Sequence, residues 1–524
     1  MLRCAAMSMS IVRMLERQAD TDADAPLFTF VTEDAPQAEW TRLTRGEVLT
    51  KSLEVAGGLR AAGLGPGDRL VMLCHNEPAF LPVWLGALAI GVVPVPLNTS
   101  FRGASLERLV TRAEPKAVVA SPDLIDAVAH GAPLAFDTSA AGLREFVSAG
   151  DTAAVEIVDP PPGTLATIMF TSGTTGLSKG VMWTHEYLLG MTDSARAVLG
   201  HGPDDVAFTV LPLFHSQALA VTSLTALVVG GEAVIAPRFS ASRFWQQVTE
   251  SRATLTYMIG SIPQILWTQP PSEWDRAHRL RGAEVIPPPA GSYHAFEGRF
   301  NLRMAELYGM TDIGIPIGIP YGERRSGSCG RELDDWECVL VDDHDVPAPE
   351  GTVGELVIRP RRPWIMPLGY WRDPEATASV WRNLWFHTGD LLRRDEEGWF
   401  TFVDRKRDAI RRAGENISST EVEDVLLAHP AVREAAVFGV AAEMGEQEVM
   451  AAVVLEQSQD VEPYELVAHC EKDLPYFAVP RFYDFLDALP RTENEKVRKQ
   501  PLRELGITAT TVDTGSRSRT HLDG

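Results

Sequence analysis

Between residues 40 and 240, short apolar runs alternate with helical patterns, and that alternation restricts the chain to few architectures. RLVMLC (Arg69–Cys74), KAVVAS (Lys116–Ser121), VAFTVLPL (Val206–Leu213) and EAVIAP (Glu232–Pro237) read as strands. Strands apolar on both faces must be covered on both faces, so the pattern predicts α/β layers with largely parallel sheets. From about residue 325 to 403 the chain becomes strand- and turn-rich, in WECVLVD, GELVIRP and GWFTFVD. That stretch predicts an antiparallel sheet or small barrel closing a large N-terminal domain. The charged cluster DRKRD (Asp404–Asp408) marks a boundary. Beyond it, SSTEVEDVLLAHP reads as a helix with Ser418 or Ser419 as N-cap. The strands VREAAVFGV and EVMAAVVLE and a helix around YELVAHCEKDL complete a small, compact α+β domain. The expected division is 1–403, 404–506 and a polar, disordered tail over 507–524.

A chain of 524 residues is too long for one core. Its 71 acidic against 48 basic residues give a net charge of −23, which opposes nucleic acid or an anionic membrane as partner. An anionic small ligand is still compatible, because a basic site can be local. Five scattered cysteines (Cys4, Cys74, Cys329, Cys338, Cys470) contain no C-x-x-C pair and read as reduced thiols in a cytoplasmic protein. The longest apolar run, FLPVWLGALAIGVVPVPL (Phe80–Leu97), approaches membrane-spanning length. Glycine and prolines in its second half divide it into a buried helix, a turn and a buried strand. No integral membrane association is expected, and MLRCAAMSMS makes a poor signal peptide, with Met7 or Met9 as alternative starts.

The stretch TIMFTSGTTGLSKGVMWTH (Thr167–His185) places a flexible, polar loop directly behind an apolar run. Such a loop exposes backbone N–H groups, and with a nearby lysine it suits a polyphosphate. It is not a Walker loop, since Ser178 precedes Lys179 and Gly180 follows it. Taken alone, it could also be an ordinary surface turn.

The string from Ser172 to Gly180 resembles the phosphate loop of the adenylate-forming (ANL) superfamily: acyl-CoA synthetases, amino-acid adenylation domains and luciferases. The resemblance continues in order along the chain. It runs through LPVWLGALAIGVVPVPLN, VLPLFHSQA (Val210–Ala218), ELYGMTD (Glu306–Asp312), WFHTGD (Trp385–Asp390), DRKRDAIRRAGENISSTEVE (Asp404–Glu421) and LPRTENEKVRK (Leu489–Lys499). The hinge and small-domain loop are especially similar to crotonobetaine/carnitine–CoA ligases. The resemblance implies an ATP-dependent acyl-CoA synthetase that activates a carboxylic acid as acyl-AMP, releases pyrophosphate and passes the acyl group to coenzyme A. ATP, Mg2+ and coenzyme A are the implied small-molecule partners, with a carrier-protein thiol as another possible acceptor. The oligomeric state stays open.

By motif match, Thr171, Ser172, Gly173, Thr174, Thr175, Gly176 and Lys179 would hold the β- and γ-phosphates. Tyr308, with Gly309, would pack against adenine, and Thr311 would touch the α-phosphate. Asp312, with Thr174, would serve the magnesium ion, which takes hard oxygen ligands. Asp390 would accept from both ribose hydroxyls, Arg405 would approach the same sugar, and Arg407 would be the hinge. Lys496 would reach the α-phosphate and acyl oxygens, and His215 would gate the acyl pocket. Trp183, His185, Gln217, Gly260, Ser261 and Met310 are the other candidate lining residues. The alternatives are structural: Asp390 in a turn, Tyr308 and His215 in the core, Lys496 in a solvated tail. Arg411 and Arg412 read equally as a solvated face or a phosphate contact.

Two positions depart from the family pattern. Asp312 stands where glutamate is usual and is one methylene shorter. Glu495 stands where glycine usually precedes the catalytic lysine, and it places an anion beside a triphosphate; Lys499 is a less favoured substitute for Lys496. An enzyme of one half-reaction working with a partner, or a silent nucleotide-binding homologue, is therefore the alternative reading. An amino-acid adenylation domain would carry a pocket aspartate, which LFHSQAL lacks. In AEVIPPPAGS (Ala283–Ser292), three prolines replace a glycine- and alanine-rich adenine wall. They stiffen the wall and predict a rigid, bulky or ring-bearing acid.

Overall fold

The computed structural model describes residues 9–33, 35–171, 178–260, 262–286, 293–406, 408, 410–412, 415–441, 447–457, 459, 461–491 and 497–515. The apolar runs form two sheets. One has seven strands in the order Met304–Ala305, Gly282–Ile286, Leu255–Ile259, Val206–Thr209, Glu232–Ile235, Pro26–Phe30 and Thr41–Thr44. Every pairing is parallel except the last, which is antiparallel. The other is a parallel four-stranded sheet, Val93–Pro96, Arg69–Leu73, Ala117–Ala120 and Leu134–Asp137.

The long apolar run divides as its prolines and glycines require. Phe80–Ala89 is a helix buried at all ten positions, and Val93–Pro96 is a fully buried strand. Side chains such as Phe80, Leu81, Val83 and Leu85 are each worth about 1.5–3 kcal/mol when withdrawn from water. No helix among the described residues is long and apolar enough to cross a membrane.

The strand- and turn-rich stretch is an antiparallel sheet, Trp336–Val341, Val353–Pro360, Trp385–Arg394 and Trp381–Arg382, with Phe400–Arg405 added beside Trp385–Arg394. A second sheet, Leu307–Met310, Gly314–Gly318 and Arg331–Glu332, lies between it and the parallel layers in sequence. Two core clusters are drawn solely from residues beyond 409, the larger around Val422, Leu426, Val437, Val453 and Tyr483. They belong to a small sheet of Val432–Ala441, Gln447–Leu455, Phe482–Phe485 and Val512–Asp513.

One expectation changes here, and one choice between alternatives is resolved. The ordered chain does not stop at 506, because Val512–Asp513 pairs antiparallel with Phe482 and Tyr483, and Arg481 holds Asp513 at 2.8 Å. The polar tail reads as loop because a two-residue edge strand leaves no hydrophobic period. Residues 516–524 lie outside the described residues. Ser418, not Ser419, caps the helix Ser419–Leu427: its hydroxyl accepts from Glu421 N at 3.1 Å and donates to the Val403 carbonyl at 2.6 Å. One side chain thus starts the helix and ties it to the preceding sheet.

Candidate active site

Strand pairing assembles the first part of the site. Asp390 and Arg405 are register partners on the antiparallel sheet, with Arg405 Nε 3.7 Å from Asp390 Oδ1. From the neighbouring sheet, the Tyr308 hydroxyl donates to Asp390 Oδ2 at 2.7 Å. Both Tyr308 and Asp390 are buried. Burial, with the Asp390 charge beside it, pushes the Tyr308 phenol well above its ordinary range, so it remains a donor. Thr388 orients the strand by accepting from Asp390 N at 3.1 Å and donating to the Leu356 carbonyl at 2.8 Å. Gly389, at φ +71°, takes a left-handed turn that aims Asp390 inward. The aspartate therefore holds a side-chain partner instead of closing its own turn.

Below it lies an ionic anchor that the sequence does not announce. Buried Glu355 accepts from Lys406 Nζ at 3.0 Å and from Gly389 N at 3.2 Å, and lies 3.3 Å from His387 Nδ1. Lys406 N donates to the Gly389 carbonyl at 2.8 Å, so Lys406 is fixed to the turn before Asp390. The available signal is one acid within five consecutive buried residues of GELVIRP, which requires a partner. Arg407 lies outside the described residues.

On the phosphate side, Ser172, Gly173, Thr174, Thr175 and Gly176 lie outside the described residues. The ends of that loop are defined: Thr171 and Lys179 face each other across the antiparallel pair Leu165–Thr171 and Lys179–Thr184. Lys179 Nζ stands 4.7 Å over the ring of Tyr370, an aromatic missed in the sequence because nothing in LGYW separates it from core. The Tyr370 hydroxyl bonds the Asp312 carboxylate; burial raises that acid, while this bond and the Lys179 charge oppose the rise.

The turn bearing Thr311 and Asp312 is clamped from beneath. Trp183 Nε1 and Tyr187 Oη both donate to the Thr311 carbonyl at 2.9 Å. Trp183 is 0% exposed and supports this turn from within the core. An indole N–H buried there needs an acceptor, and the Thr311 carbonyl supplies it. At Gly309 a Cβ would fall 2.4 Å from the Gly314 carbonyl oxygen, which explains glycine at that position.

Several residues expected to line the acyl pocket lie near the ends of parallel strands. Gly260 N donates to the Ile286 carbonyl at 2.8 Å, and a Cβ at Gly260 would meet nothing within 4 Å. His215 stacks tilted on Phe214 at 4.8 Å, Gln217 is buried, and Met310 is partly exposed. Burial holds His185, first residue of the helix His185–Leu199, down at about 4, so it is neutral near pH 7. Ser261 and Pro287–Ser292 lie outside the described residues, as do Glu495 and Lys496.

Two other basic residues are engaged elsewhere. Lys499 Nζ pairs with Glu423 at 2.7 Å and donates to Ser419 Oγ at 2.6 Å, inside the small domain. Arg412 is neither a solvated face nor a free phosphate contact: it is buried and paired with Glu448 at 2.9 Å. Among the described cysteines none is bridged, and burial pushes the Cys329 thiol up to about 12, too high for a nucleophile.

Comparison with known proteins identifies the family. The family model described as AMP-binding enzyme matches residues 15–371, and the one described as AMP-binding enzyme C-terminal domain matches 421–496. The chain is 32% identical to the sulfoacetate–CoA ligase of Cupriavidus necator, across 88% of this chain and 92% of that protein. It is 32% identical to a crotonobetaine/carnitine–CoA ligase of Escherichia coli, across 84% of this chain and 89% of that protein. Among solved structures, ATP-bound MatB from Rhodopseudomonas palustris superposes with a TM-score of 0.85 at 27% identity, covering 95% of this chain and 99% of that one.

Proposed function

This chain belongs to the AMP-binding enzymes and is an AMP-forming acid–CoA ligase; from that premise we propose how its residues divide the work and which acid it takes. The reaction has two steps. A carboxylate oxygen bonds the α-phosphorus of ATP and pyrophosphate leaves; the thiol sulfur of coenzyme A then bonds the acyl carbon and AMP leaves. An ordinary carboxylate is a poor acyl donor, so adenylation supplies the leaving group, while the protein positions reactants and offsets charge.

The observation that carries the division of roles is the meeting of Tyr308, Asp390 and Arg405, drawn from two sheets and the edge of the hinge. Asp390 accepts the ribose hydroxyls while Tyr308 both flanks adenine and holds the carboxylate in place. Thr311, on its clamped turn, donates to the α-phosphate. Lys179 and the loop before it bind the outer phosphates, and Lys496 meets the α-phosphate and acyl oxygens. His215 gates the acyl pocket.

A magnesium ion fits the donor set. Asp312 offers a hard oxygen steadied by Tyr370, and this ion commonly takes one or two carboxylates plus substrate phosphates. Asp312 and Thr174 would hold it, and its charge would offset that of the phosphates. The acceptor is coenzyme A itself in preference to a carrier-protein thiol, the compartment is the cytoplasm, and the acid is rigid and ring-bearing. A strong preference for acetate or carnitine would refute that acid class.

Acid-dependent exchange of labelled pyrophosphate into ATP tests the assignment. Exchange should be lost in Asp390→Ala and Lys496→Ala with every acid; full exchange in either variant would remove that residue from the site.

A further inference from the structure

The acyl end carries a knot of polar groups that adenylation does not use. Tyr257 and Glu284 are register partners on the adjacent parallel strands Leu255–Ile259 and Gly282–Ile286, 0% and 2% exposed. The π-helical stretch Gln217–Leu224 brings Gln217 and Thr222 together, with Thr222 Oγ1 donating to Gln217 Oε1 at 3.2 Å. Gln217, 7% exposed, reaches the same carboxyl: it opposes the rise that burial imposes on Glu284, which stands at about 8. Thr222 in turn lies beside the Tyr257 phenol. Yet Glu284 Oε2, Gln217 Nε2 and Tyr257 Oη are all buried without a hydrogen-bond partner of good geometry among the described residues. Buried polar atoms are rarely left so, and three together point to a group that completes them.

Their position says what that group belongs to. Glu284 lies two residues before Ile286, whose carbonyl receives Gly260 N at the open end of the parallel strands. Ligands of open α/β sheets sit outside the carboxyl ends of the strands. Gln217 follows His215 by two residues in the segment assigned to the acyl pocket. A hydrophobic atom placed here would leave all three groups unmet. An ammonium could donate to Glu284 but could not accept from Gln217. A hydroxyl does both.

We propose that Gln217, Tyr257 and Glu284 form the far wall of the acyl pocket and select a carboxylic acid whose distal end carries a hydroxyl group. The inference rests on the acid–CoA ligase reading. The hydroxyl donates to Glu284 Oε2 and accepts from Gln217 Nε2, and Tyr257 closes the set. Sites built to bond a substrate hydroxyl discriminate strongly against analogues that lack it, because rejection leaves the protein's own groups unpaired.

The test uses the full chain with ATP, Mg2+, coenzyme A and matched pairs of ring acids differing only in a distal hydroxyl or methyl, at several lengths. Para-hydroxybenzoate against para-methylbenzoate and para-hydroxycinnamate against para-methylcinnamate are two such pairs. For at least one pair, kcat/KM for acyl-CoA formation should favour the hydroxyl by roughly 10²-fold or more. Glu284→Leu should reduce that ratio to about 10-fold or less, with the KM for ATP unchanged. Glu284→Gln, which keeps the volume and a hydrogen-bonding end, should fold like the parent and fall between them. Turnover of the panel with no hydroxyl preference, or a preference untouched in both variants, would overturn the proposal and leave the cluster to a buried water. Failure to form thioester or adenylate from any acid would instead overturn the ligase reading, and this inference with it.

Discussion

The two ends of the proposed active site are built on opposite terms. At the nucleotide end, Tyr308, Asp390 and Arg405 meet one another, and Glu355 ties Lys406, Gly389 and His387 into one anchor. At the acyl end, Glu284, Gln217 and Tyr257 are buried with atoms left unmet. A site that binds the same nucleotide in every cycle gains from being held before the ligand arrives. A site that must choose among acids gains from groups satisfied only by the right one. On the proposed roles, preorganisation at one end and selective completion at the other would give one enzyme both speed and choice.

Asp390→Ala should produce the largest effect and sharpen this comparison. On the proposed role it removes two charged hydrogen bonds to ribose, each worth about 1.5–3 kcal/mol, so kcat/KM for ATP should fall roughly 10²–10⁴-fold. The fall should be the same for every acid; dependence on the acid would merge the two ends. Gly309→Ala comes next. A Cβ 2.4 Å from the Gly314 carbonyl oxygen should lower thermal stability by about 1–3 kcal/mol and disturb the Thr311 turn, read as a drop in Tm together with kcat.

Tyr370→Phe sits between the ends. It keeps the ring beneath Lys179 and removes the bond to Asp312. The Mg2+ concentration for half-maximal rate should rise about 10-fold, the loss of one hydrogen bond to a charged group. No change would make Tyr370 simple core.

The smallest effect is one of pH. Burial holds Glu284 and Glu306 protonated to about 8 in the folded chain, against an ordinary value of 4.5. The folded state therefore keeps protons that the unfolded chain releases, so this contribution is whole below pH 4.5 and is lost as pH rises through 8. Tm should fall between pH 6 and pH 9, and Glu306→Gln should flatten the fall. An unchanged slope would mean Glu306 ionises freely.

Much of this was legible in the residues. Continuous apolar runs announce parallel strands, and the glycines and prolines of Phe80–Leu97 announce its division, because both signals are local. Tyr308 and Asp390 stand in motifs whose order the sequence preserves. What escaped was partnership across distance. Tyr370 looks like any aromatic until Lys179 lies over it, and nothing near Trp183 in the chain announces that its indole bonds Thr311. Arg412 looks solvated until Glu448, thirty-six positions later in the chain, covers it. Val512–Asp513 is too short to show a period of its own and exists because Phe482–Phe485 offers an edge.

The most direct test of the central claim is one mass-spectrometric assay of the full chain with ATP, Mg2+ and a mixed panel of carboxylic acids, with and without coenzyme A. Acyl-AMP and acyl-CoA are scored separately. Acyl-AMP alone is expected when coenzyme A is withheld, and its replacement by acyl-CoA and free AMP when coenzyme A is added. Acyl-AMP that accumulates undiminished in the presence of coenzyme A would contradict that claim.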